Sequence, residues 1–234
     1  YDELARGYEQ WIEQLQVARQ RSGVRGAAAL DLVKSLNGAR TFFHVCNGVL
    51  CAALYQFLLG PTGASIVLGF FLAIFGFLEI SRRFSSSWNH TICSSPLFRP
   101  IRRPGEYHRV NSATWYLLGL CLLVPLASKP AVVASVLILA FADPAAAWFG
   151  KPFGQRKLHR NKSVVGTSAF FFVAVAVAWP YLVAFGPDLT LARAGLLALA
   201  GAFAGALAEV FSGPLDDNLT VPVASALTMT ALLA

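Results

Sequence analysis

Seven apolar runs near bilayer length dominate this chain: 42–60, 64–80, 113–127, 131–149, 164–186, 192–211 and 220–234. A hydrocarbon core about 30 Å thick takes about 20 apolar residues per helical crossing, and inside it each crossing must satisfy its own backbone polar groups. The pattern predicts an all-α, polytopic membrane bundle of about seven transmembrane helices. With 56% apolar and only 13% charged residues in 234, the chain is too greasy for one soluble core. The third and seventh runs, at about 15 residues, cover only about 22 Å at a rise of 1.5 Å per residue. They must extend at their ends, thin the bilayer or pack inside the bundle.

Residues 1–40 read differently. Leu4, Tyr8, Trp11, Ile12 and Leu15, then Leu30, Val33 and Leu36, recur at helical spacing among charges. This predicts an amphipathic helical segment of one or two helices, divided near Gly23 and Gly26, ahead of a membrane domain over 41–234.

Charge is sorted by side. If seven spans alternate, six Lys/Arg lie in the N-terminal segment, six in 81–112 and five in 150–163, leaving only Lys129 and Arg193 for the opposite face. The positive-inside bias then puts the N-terminus and the working loops in the cytoplasm. The net charge of +7 suits acidic headgroups of the lipid bilayer or a phosphorylated substrate, and nothing resembles a nucleic-acid-binding module. The four cysteines show no metal spacing, and the pattern fixes no oligomeric state.

Ionisable groups at membrane depth are costly and mark partners or wet cavities. Glu79, Asp143, Glu209, Asp216 and Asp217 all fall towards the cytoplasmic ends of their runs. Beside them, "ADPAAAWFGKPFGQRKLHRNKSVVGT" (142–167) carries Lys151, Arg156, Lys157, Arg160 and Lys162. Pro144 predicts a kink or break in the fourth span. Asp143 is then either the cap of a half-helix starting there or a carboxylate holding Mg²⁺ on a nucleotide.

The basic loop is either topology signal and lipid contact, or a phosphate site built from Arg156, Lys157, Lys162, Ser163 and Thr167 at a helix start. It is not a Walker A sequence. Asp216 and Asp217, followed by Asn218, are either an acidic helix-capping turn, with Thr220 and Pro222 as helix-start residues, or a metal-side cluster needing nearby cations. Glu106 and Arg109 are either an i,i+3 ion pair, with Ser112 as N-cap, or part of the site. His44 is either a hydrogen-bonded structural histidine or a base.

Together these pieces match what moving phosphate onto a lipid demands: an anionic donor in water, a hydroxyl at headgroup level, and catalysis by alignment and charge neutralisation. In that reading Asp143, Asp216 and Asp217 organise Mg²⁺ or another divalent cation, Lys157 and Lys162 bind phosphates, and Glu209 accepts the alcohol's proton.

From about His44 onward the chain resembles the polytopic CTP-dependent lipid kinases, the group of dolichol kinase, phytol kinase and CTP-using diacylglycerol kinase, often filed with the phosphatidate cytidylyltransferases. The resemblance rests on "DPAAAWFGKPFGQRKLHRNKSVVGT", "DDNLTVPVASAL" and "EYHRVNSATWYLLG". It implies transfer of the γ-phosphate of CTP to a lipid alcohol such as a polyprenol, phytol or diacylglycerol, with 142–167 as the nucleotide loop. By position it implicates Asp143, Lys157, Lys162, Ser163, Gly166 and Thr167 on the nucleotide side, and Asp216, Asp217 and Asn218 in the C-terminal motif. Glu106 and Arg109 match its third motif. Two rivals remain at this stage: a CDP-lipid synthase, in which a phosphatidate attacks the α-phosphorus of CTP, and an anion transporter without chemistry.

Overall fold

The computed structural model describes residues 25–95, 109–160, 162–213 and 215–233, without the side chains of 25–37, 39 and 94. The chain divides into two units, 1–42 and 43–234. Eight helices carry almost all of the described structure: α1 (Arg25–Ala53), α2 (Pro61–Phe84), α3 (Ser86–Ser94), α4 (Ser112–Leu126), α5 (Lys129–Phe153), α6 (Val164–Phe185), α7 (Leu191–Phe211) and α8 (Asp217–Leu233). A π-helical turn, Leu54–Leu58, prolongs α1, and a small antiparallel ribbon, β1 (Lys157–His159) with β2 (Lys162–Ser163), joins α5 to α6.

All seven apolar runs fall in helices. Five segments are long and apolar enough to cross a membrane: Arg40–Leu58, α2, α5, α6 and α7. At 15 residues α4 is a shorter apolar helix, and α8 has 17. The bundle is therefore all-α apart from the ribbon, but seven full crossings do not follow from it. Large side chains such as Phe70, Phe77, Phe172 and Phe203 are more than half exposed. Such an apolar outer surface suits lipid tails rather than water.

Helix α5 is the axis of the unit 43–234. Ala131, Ala134, Ala140 and Ala142 alternate along it with Val132, Ile138 and Leu139, all buried. Small residues let neighbouring backbones approach closely where no hydrophobic driving force separates helix from lipid. Its main partner is α6, while α7 packs between α6 and α8, and α4 bridges α2 to α8. Near the start of the unit, Gly48 lies so close to α5 that a Cβ there would meet the Ala140 methyl at 2.6 Å.

Three local expectations are corrected. Pro144 does not break the fourth span: α5 runs unbroken from Lys129 to Phe153, so Asp143 caps no half-helix. Proline removes one backbone donor and crowds the preceding turn, which the packing on α6 and α8 tolerates. Asn111, not Ser112, caps α4, its side chain accepting from the Ala113 N–H at 2.7 Å. Helix α8 starts at Asp217 rather than near Thr220, with Pro222 inside it, because Asp216 supplies the cap one residue earlier. Helix α1 begins at Arg25, and Gly23 with the segment before it, where the first part of the amphipathic region was expected, lies outside the described residues.

Candidate active site

Glu79, Asp143, Lys162, Glu209, Asp216 and Asp217 lie towards the ends of α2, α5 and α7 or at or just before the beginnings of α6 and α8. The turn between α5 and α6 is the tightest. Gly154 ends α5, and a Cβ there would lie 2.2 Å from both the Gly150 carbonyl oxygen and Ser163 Oγ. Gly166, on α6, approaches Gly150 so closely that its Cβ would meet the Gly150 Cα at 3.2 Å. Only glycine at these positions lets the two backbones cross here. Ser163 is buried in the crevice and caps α6, Oγ accepting from the Gly166 N–H at 3.2 Å.

The crossing throws the ribbon out over α7. The turn residue Arg160 takes a left-handed conformation, φ 49°, its guanidinium resting against Gly213, while the His159 ring packs on Phe211 at 5.7 Å. That anchoring turns Lys162 inward. Its ammonium pairs with Glu209 Oε1, and Asp217 Oδ2 lies 3.9 Å away. Burial alone would depress the Lys162 pKa. The carboxylates of Glu209, Asp217 and Asp143 outweigh it and hold the ammonium above the ordinary lysine value.

Glu209 is 3% exposed, and its second oxygen, Oε2, is buried without a hydrogen-bond partner. The Thr167 hydroxyl, one turn into α6, is likewise buried and unpartnered. A buried carboxylate oxygen without a partner is costly, and Glu209 Oε2 has acceptor capacity left for one. The arrangement joins a cation and three carboxylates from four separate elements, which suits an anionic substrate that brings its own cation.

Comparison with curated proteins gives three matches. The chain is 28% identical over 221 residues to the CTP-dependent diacylglycerol kinase 1 of Saccharomyces cerevisiae, spanning 87% of this chain and 76% of that protein. It is 28% identical over 224 residues to the protein of that name from Eremothecium gossypii, spanning 87% and 69%. The Schizosaccharomyces pombe protein is 31% identical over 114 residues, spanning 45% and 52%. Over most of its length the chain is thus similar to CTP-dependent diacylglycerol kinases. No family model matches the chain, and no solved structure matches it.

The candidate residues separate into two groups. Asp143, Lys162, Asp217 and Glu209 converge as described, while the Thr167 hydroxyl is buried on the first turn of α6 and Arg156 and Lys157 lie exposed at the start of the ribbon. Ser163 and Gly166 shape the helix crossing. Asp216 caps α8: Oδ1 accepts from the Asn218 backbone N–H at 3.0 Å and from the Asn218 side-chain amide at 2.6 Å, and Oδ2 accepts from Ser112 Oγ at 3.1 Å. His44 Nε2 lies 3.3 Å from the Leu139 carbonyl oxygen, one helical turn before Asp143. Arg109 is exposed, and Glu106 lies outside the described residues.

No three His, Cys, Asp or Glu side chains among the described residues are gathered to hold a metal ion by themselves. Magnesium rarely needs such a cage, since it takes one or two carboxylates and completes its shell with water and substrate phosphates. The orphaned Glu209 oxygen and the acidic surroundings of Lys162 fit a cation that arrives with a nucleotide.

The sequence reading passed over Arg82, half of a buried ion pair with Glu79 at 2.6 Å. The signal was present: Glu and Arg three apart on an otherwise apolar helix face each other. An apolar cavity lined by Cys51, Tyr55, Leu68, Leu120 and Val136 lies towards the opposite end, away from this chemistry.

Proposed function

We propose that this chain is an integral-membrane kinase that transfers the γ-phosphate of CTP to the hydroxyl of a membrane lipid alcohol, with diacylglycerol as acceptor. The single observation that carries the reading is the convergence of Lys162 with Glu209, Asp217 and Asp143 at one end of an apolar bundle. The names of the relatives supply the nucleotide and the acceptor class.

Lys162 neutralises charge on the transferring phosphate, while the exposed Arg156 and Lys157 draw the triphosphate to the ribbon. Asp143 and Asp217 are assigned to the cation, and Asp216 and Asn218 to holding Asp217 in place. The divalent cation that Asp143 and Asp217 would hold would supply positive charge to offset the negative charge of the phosphates. Glu209, buried next to Lys162, is the residue assigned to take the proton from the acceptor hydroxyl. Nucleotide entry gives Lys162 a phosphate partner and leaves the Glu209 carboxylate for that task. Thr167 supplies a hydroxyl donor at the start of α6. The asymmetry of Lys and Arg supports a cytoplasmic site.

The reading is tested with purified protein in mixed micelles, offered CTP, ATP, GTP and UTP against diacylglycerol, a polyprenol and phytol, with the lipid product identified by mass. Phosphatidate formed from CTP and diacylglycerol supports it. A bound or translocated anion with no phosphorylated lipid from any pairing overturns it.

A further inference from the structure

Helix α2 is lipid-exposed along most of its length, and its buried residues are only Ala64, Glu79 and Arg82 among those described. Two of the three are the ion pair. Burying opposite charges gains little stability over an apolar pair of similar volume, because desolvation offsets the attraction. In a membrane helix the cost is greater and an ionised pair calls for a role.

The pair grips the beginning of α4. Arg82 Nη2 donates to Glu79 Oε1 and to the Arg109 carbonyl oxygen, and Nη1 donates to Asn89 Oδ1 at 2.9 Å. Glu79 Oε2 accepts from the Asn111 backbone N–H at 3.2 Å. Asn111 caps α4, and the next residue, Ser112, donates to Asp216 Oδ2 at 3.1 Å. Asp216 in turn caps α8, whose first residue, Asp217, faces Lys162. An uninterrupted line of hydrogen bonds and covalent bonds thus runs from α2 to the candidate site.

We propose that Glu79 and Arg82 are positioning residues: they fix the Asn111–Ser112 turn, which through Ser112 and Asp216 sets the place of Asp217 beside Lys162. The role rests on the kinase reading for its effect on turnover. The mechanical link from Glu79 to α8 does not depend on that reading.

The test is a double-variant cycle of Glu79→Gln and Ser112→Ala in the full chain, with Ser112→Thr as the conservative variant. Lipid phosphorylation and hydrogen exchange of the amides of residues 217–220 are both measured. Each single variant is expected to lower kcat/KM by about tenfold, and the double variant to fall short of the product of the two losses by about fivefold, within the coupling range of one hydrogen-bonded network. Ser112→Thr, which keeps the donor, returns most of the activity, a rescue that a general packing defect would not give. Exchange in 217–220 speeds up in Glu79→Gln although the substitution lies on another helix. Multiplicative losses together with unchanged exchange at 217–220 would overturn the positioning role. If the unaltered chain phosphorylates no lipid, the kinase reading fails and the exchange result alone decides the link.

Discussion

Lys162 on the ribbon and Glu209 on α7, 47 residues apart in sequence, form an ion pair whose carboxylate is almost wholly buried. Removing one partner of such a pair leaves an uncompensated charge, which typically costs about 3–5 kcal/mol in a buried setting. Lys162→Met is therefore expected to lower the thermal midpoint in detergent and to raise the KM for CTP at least about tenfold. Glu209→Gln, which keeps an acceptor for Lys162 and leaves Asp217 and Asp143 to offset its charge, should lower the midpoint less than Lys162→Met does and lower kcat instead. Equal loss of kcat and stability in both variants would contradict this division of roles.

Asp216 and Asp217 are neighbours with different assignments. Asparagine is as good an N-cap as aspartate, whereas alanine in place of a cap costs about 1 kcal/mol. Asp216→Asn is expected to retain activity within about threefold, with Asp216→Ala less stable by that amount. Asp217→Asn and Asp143→Asn should each lose about a hundredfold or more in kcat/KM, with folding intact. An inactive Asp216→Asn would transfer the cation role to Asp216.

The crossing of α5 and α6 has no room for a methyl group at Gly154. Overpacking a close contact costs about 1–3 kcal/mol, and here the strain falls on the segment that aims Lys162. Gly154→Ala should lower the thermal midpoint and activity together. Gly38→Ala, with nothing within 4 Å of the added methyl, is the control and should do neither.

A pH effect follows from Lys162. Its pKa in the folded chain is raised above the unfolded value of 10.5, so its contribution to stability is fully present below that value and fades as pH rises through the higher folded one. In metal-free protein, the thermal midpoint should therefore fall as pH rises above 10.5, and Lys162→Met should flatten that fall. An identical alkaline slope in the variant would show that Lys162 is not held by its carboxylates.

The helices were legible because apolar runs of this length have few alternatives in a bilayer, and every run became a helix. Which of them fully cross was less so: α4 and α8 are set by caps at Asn111 and Asp216, and capping depends on where one side chain points. The convergence of Lys162, Glu209 and Asp217 was readable as types of residue near span ends, but their contact needs the Gly150–Gly166 crossing, a long-range feature that spacing does not encode. For the same reason Asp216 and Asp217 looked alike. Asp143 and Pro144 suggested a break by local rules, and packing against α6 and α8 overrode them. Arg82 was hidden because it reads as one more cation at a span end until its helix is seen to bury almost nothing else.

The central claim is a phosphoryl transfer from CTP, and the fate of label tests it most directly. With purified protein, diacylglycerol and CTP labelled in turn at the γ- and α-phosphorus, the account predicts γ label in the lipid and α label left in CDP. Label from the α position in the lipid, or from neither, would contradict it.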